Sequence, residues 1–98
     1  MTKLDALEVK ALDGACRLAT AGTVAVAEGD DAPMRAACAM HYDGIPLAER
    51  RSYDSLVFRF MGELLGRAFG TVAALHDVDI RAVAEVVISA ERAFYDEP

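Results

Sequence analysis

The chain is 98 residues long, 54% hydrophobic, and carries a formal net charge of −6 from 16 acidic and 10 basic side chains. Its length fits one domain, and an acidic excess without a basic stripe argues against direct nucleic-acid binding, which relies on Lys and Arg neutralising phosphates. No uncharged stretch approaches the ~20 residues that span a membrane, and Lys3, Asp5, Glu8 and Lys10 interrupt any signal-peptide core.

Cys16 and Cys38 sit in apolar surroundings without metal-ligand spacing and read as free buried thiols in a reducing cytoplasm, with a disulfide as the alternative. Much of the hydrophobic fraction is alanine, so the larger aliphatic and aromatic side chains must supply the core, at about 1.5–3 kcal/mol each when fully buried. A domain this small is only marginally stabilised by its own core. Excess apolar surface in such a chain points to a subunit interface, and a homodimer is the expectation.

Leu4, Leu7, Ala11, Ala15, Leu18 and Gly22 recur at three- and four-residue steps opposite Lys3, Lys10, Asp13 and Arg17. They predict a first helix from Thr2 to about Ala21. Ala11, Ala15 and Ala19 are small enough to let another helix come close. Beyond them, Thr23 to Ala27 continues as helix or forms a short strand, with helix favoured. Gly29 ends this element, and Pro33 suits the first turn of the next.

A short helix follows from about Met34 to Tyr42, with Met34, Ala37, Cys38 and His41 on one face and Gly44 as its stop. Pro46 opens another turn, and the main helix starts either there or behind a Ser52 cap. That helix begins near Tyr53 and ends near Leu75. It is apolar nearly all round, apart from an arc holding Arg59, Glu63 and Arg67 at ion-pairing steps, and a helix of that kind is a buried one. The last helix begins after Asp77-Val78-Asp79 and runs to about Tyr95, with Ile80, Val83, Ala84, Val87, Ala90 and Phe94 as its buried stripe. Glu91 falls inside that stripe, close enough to the end of the sequence for its carboxylate to reach water.

Gly62, Gly66 and Gly70 stand at four-residue spacing inside the main helix, each costing roughly 1 kcal/mol relative to alanine. A close helix crossing would offset the loss, and the expected crossing is a dimer interface of Phe58, Gly62, Gly66, Phe69 and Gly70. The competing reading packs the glycines against the alanine row of the first helix within one chain, and a third has them bend the helix. A second candidate is the connection that holds His41, Tyr42, Asp43, Arg50, Arg51 and Tyr53. Arg and Tyr are over-represented at binding hot spots, so this loop is the expected partner-binding surface, beside the plain reading as a polar connector.

His41, His76, Asp77, Asp79, Cys16 and Cys38 could form a metal set only without the paired spacings that metal sites show. His76 and its neighbours are better read as a helix end and the next helix cap. Cys38 and His41 share a helix face, but neither cysteine has an activating neighbour, and no phosphate-binding loop, nucleophile elbow or dinucleotide fingerprint is present. No catalytic, cofactor or metal residue is therefore assigned.

Together these features predict an all-α fold, a small helical bundle of three long helices plus one short helix. The functional expectation is a non-enzymatic bacterial or phage-type accessory protein that binds another protein, as a homodimer. One alternative is an acidic inhibitor that mimics nucleic acid through Asp5, Asp13, Glu28, Asp30, Asp31, Asp77, Asp79, Glu85, Asp96 and Glu97. A further alternative is a small-molecule or metal-binding bundle.

Overall fold

A computed structural model describes residues 3–96. Every element among them is helical: α1 (Ala6–Glu28), α2 (Ala32–Ala39), α3 (Arg50–His76) and α4 (Ile80–Asp96), with one 3-10 turn at Leu47–Glu49. Three long helices and one short one make an all-α fold, as expected, and residues 23–27 are helix. The chain divides into two compact units, Met1–Leu64 and Leu65–Pro98, and α3 contributes to both.

In the first unit, α1 starts at Ala6 behind an Asp5 cap; the expected start at Thr2 lies outside the described residues. The reason is a capping box: Asp5 Oδ1 accepts from the Glu8 backbone N–H at 2.8 Å, and Glu8 Oε1 accepts from the Asp5 N–H at 3.1 Å. Gly29 ends the helix in the left-handed region, φ 67°, donating its N–H to the Ala25 carbonyl. Pro33 then sits in the first turn of α2. This helix is shorter than predicted, and residues 40–44 form turns that Gly44 permits at φ 74°. The 3-10 turn follows Pro46 directly, so α3 begins at Arg50, ahead of the Ser52 cap and of Tyr53.

The core of this unit joins Ala11 and Ala15 of α1 to Tyr53, Val57 and Phe60 of α3, with Ile45 inserted from the loop. Small residues on one helix therefore meet large ones on the other. The alanine row of α1 does not receive the α3 glycines, which corrects the competing reading of that pattern. Close approach is made instead at Gly14: a Cβ there would overlap the Tyr53 hydroxyl and stand 3.3 Å from its Cζ. Farther along α1, Ala21 is buried, as is Ala37 of α2, and Gly22 comes close to the Met34 side chain. Arg59 of α3 reaches Glu8 of α1 at 3.2 Å.

The second unit holds the rest of α3 and all of α4. The α3 helix ends on Asp77, whose φ of 51° is left-handed, while the Val78 N–H donates to the Ala73 carbonyl at 3.0 Å. That is a glycine-type helix stop made with aspartate. Asp77 thus terminates α3, and Asp79 stands ahead of Ile80, its carbonyl accepting from the Val83 N–H. Ala73 is buried, yet α4 contains no buried residue. Its predicted stripe is only partly covered: Val83 and Ala84 are half-buried, while Val87 is 44% and Phe94 72% exposed. A hairpin of two helix segments offers each helix only one neighbour, so most of an apolar circumference stays open.

Candidate functional site

The connection between α2 and α3 is a fastened structure. Lys10 of α1 donates to the Gly44 carbonyl at 3.3 Å, and Arg50 Nε donates to the Ile45 carbonyl at 3.4 Å. Ile45, 5% exposed, anchors the same turn in the core. The polar side chains of the loop are thereby held above a hydrophobic floor.

Their organising group is Asp54, one turn into α3. His41 Nε2 and Asp54 Oδ1 lie 2.9 Å apart, and the Tyr42 hydroxyl donates to Asp54 Oδ2 at 2.5 Å. Around this carboxylate the rings of His41, Tyr42 and Tyr53 gather, with centroids 4.7 Å, 5.1 Å and 6.2 Å apart. The half-buried Arg50 guanidinium lies over the Tyr42 ring at 4.8 Å, a cation–π contact that holds the arginine in one orientation.

The charges follow from these contacts. The hydrogen bond from Tyr42, then the one with His41, hold the Asp54 carboxyl below the usual carboxylate range, although partial burial pulls the other way. Accepting by Asp54 pushes the Tyr42 phenol up in return. Burial raises that of Tyr53. Both oxygens of Asp54 are engaged, so the carboxylate clasps the loop to α3 instead of standing free as a base.

Of the expected loop residues, His41, Tyr42, Arg50 and Tyr53 come together. Tyr53 does so as a core residue, 2% exposed, and presents no surface. Asp43 and Arg51 are exposed and stand outside the cluster. The sequence reading missed Asp54, Lys10 and Ile45. Asp54 had a usable signal as a carboxylate one turn into the helix, directly behind a run of His, Tyr and Arg.

The expected interface residues divide by exposure. Phe58 is 82% exposed, and a Cβ at Gly62 or Gly66 would meet no atom within 4 Å. Phe69 and Gly70 are half-buried, and a Cβ on Gly70 would lie 3.7 Å from Ile80 Cδ1. Gly70 therefore faces its own hairpin.

An open groove of about 360 Å³ runs along α1 and the start of α2, lined by Asp13, Cys16, Arg17, Thr20, Val24 and Pro33. Asp13 and Arg17 pair there at 3.0 Å. Both cysteines are free, and both are exposed where burial was expected. Among the described residues no three His, Cys, Asp or Glu side chains converge on a point that could hold a metal ion, and no helix is long and apolar enough to cross a membrane. Compared with known proteins, the chain matches no family model, no curated relative and no solved structure.

Proposed function

We propose that this chain is a non-enzymatic cytoplasmic accessory protein that works by binding protein, and that it does so as a homodimer. The observation that carries this reading is the uncovered apolar surface of Leu65–Pro98. There Leu65, Leu75, Val86 and Phe94 are each more than half exposed, and Ala73 is the one buried residue among those described in that unit. Soluble chains rarely leave such surface open unless another chain covers it. The fastened loop supports a second contact surface. Tyr42 and Arg50 present aromatic and cationic groups already fixed in place, so a partner would lose little side-chain freedom in gripping them.

Light scattering on a sizing column across micromolar concentrations tests the dimer. The expected mass is twice the 10.5 kDa of one chain. A single-chain mass at every concentration would overturn the homodimer and leave the loop as the contact surface.

A further inference from the structure

Arginines of the first unit are held in place in two different ways. Arg17 pairs with Asp13 at 3.0 Å and Arg59 with Glu8 at 3.2 Å. Arg50 is held without an acid: its Nε donates to the Ile45 carbonyl at 3.4 Å, and its guanidinium lies over the Tyr42 ring at 4.8 Å. Among the described residues no carboxylate comes within ion-pairing distance of it, in a chain where acids outnumber bases by 16 to 10. Asp54 does not take it, because Tyr42 and His41 already occupy both carboxylate oxygens.

The two terminal nitrogens of Arg50 hydrogen-bond no described residue, and neither is shut away from water. The planar fork that matches a carboxylate is therefore oriented, charged and open. Lys10 adds a second charge on the same turn. Its Nζ donates to the Gly44 carbonyl at 3.3 Å, one residue before the carbonyl that takes Arg50, and it too lacks a carboxylate partner among the described residues. Asp43 and Glu49, the acids nearest in sequence to this turn, are exposed and pair with neither cation. Ile45 anchors the turn in the core, so both cations stand on a fixed base.

We infer that this turn is a carboxylate-binding site: the Arg50 fork receives an Asp or Glu side chain, or the chain end, of a protein partner, and Lys10 supplies the second charge. The site rests on the proposal that the loop is a protein-contact surface, and it names the chemistry that surface grips. A carboxylate suits a single fork, which takes both oxygens in two parallel hydrogen bonds. A phosphorylated side chain carries about −1.5 to −2 charge at pH 7 and is met by clusters of arginine. Here one arginine and one lysine stand in a chain of net charge −6. Fixing the arginine beforehand spares the freedom that a loose side chain would lose on binding.

Nuclear magnetic resonance on the full chain tests the site. The Arg50 Nε–H and Tyr42 ring signals are followed through three titrations: a capped peptide with two glutamates, an alanine peptide with a free carboxyl end, and inorganic phosphate. Both signals should move saturably with at least one peptide, at least about fivefold more tightly than with phosphate. A response to the glutamate peptide alone identifies a side-chain carboxylate, and a response to the alanine peptide alone identifies a chain end. Arg81 of α4, which no described carboxylate holds, should respond at least about fivefold more weakly than Arg50. Arg50→Lys keeps the charge without the fork and should also weaken binding at least about fivefold. No saturable movement with either peptide, tighter binding of phosphate, equal responses at Arg50 and Arg81, or an unchanged affinity in a folded Arg50→Lys chain would each overturn the site. Mass in solution separates this from the dimer. A dimer whose Arg50 ignores both peptides loses the site and keeps the two-fold contact, and a single chain whose Arg50 takes them keeps the site and loses the dimer.

Discussion

A methyl group on residue 14 has nowhere to go. It would overlap the hydroxyl of Tyr53, a ring held at 2% exposure, and overpacking of this kind costs about 1–3 kcal/mol, against about 1 gained from helix propensity. Gly14→Ala should therefore lower the melting temperature by several degrees, at roughly 4–8 °C per kcal/mol. Adding Tyr53→Phe removes the overlapping oxygen and should recover part of the loss; equal losses in both backgrounds would refute the contact. The Asp54 clasp makes a different prediction, because its groups titrate. The Asp54 carboxyl is depressed below its ordinary 3.8, so its stabilisation is present above that value and lost as pH falls through the lower, folded one. Tyr42 is raised above 10.0, so its stabilisation is complete below pH 10 and lost as pH climbs through the folded value. The gap in urea midpoint between the parent chain and Asp54→Asn should be level between those limits and close beyond each of them. A gap that stays level down to about pH 2 would show that the clasp contributes no pH-dependent stability.

Helices were legible because each had a local signature: period on α1 and α4, Gly29 and Pro33 as punctuation, and near-continuous apolarity on α3. Boundaries slipped where a cap was overlooked. Asp5 and Glu8 form a capping box visible in the letters alone, yet the period drew the start of α1 back to Thr2. The loop was legible as a cluster of residue types and illegible as a clasp, because Asp54 meets His41 and Tyr42 only after turns at residues 40–44 fold them back. Close packing was the hardest to read. Within one chain Gly62 and Gly66 face open space, while Gly14, unremarked in the sequence, receives Tyr53. Spacing reveals that a backbone can be approached, not which chain approaches it. For the same reason the α4 stripe was visible and its exposure was not: periodicity states which residues share a face, while burial depends on what is brought against that face.

The two units place different demands on association. The first has a core of its own, in which Ala11, Ala15, Tyr53, Val57 and Phe60 are nearly inaccessible to water. The second has helices and almost no interior, so its apolar side chains yield their transfer free energy only when a second surface covers them. If that surface is another copy, stability is tied to protein concentration by mass action, because two folded chains share one equilibrium with two unfolded ones. Each tenfold increase in concentration then adds about 1.4 kcal/mol per dimer. Spread over the unfolding entropy of two chains of this length, that corresponds to a rise of roughly 3 °C in melting temperature. Diluted until it is a single chain, the protein should bind a hydrophobic dye on the open face of Leu65–Pro98 that the dimer excludes. Calorimetry over a hundredfold concentration range distinguishes the cases. A parent melting point that does not move with concentration would mean that no second copy covers the apolar face of Leu65–Pro98, and would leave the loop that presents Tyr42 and Arg50 as the contact surface.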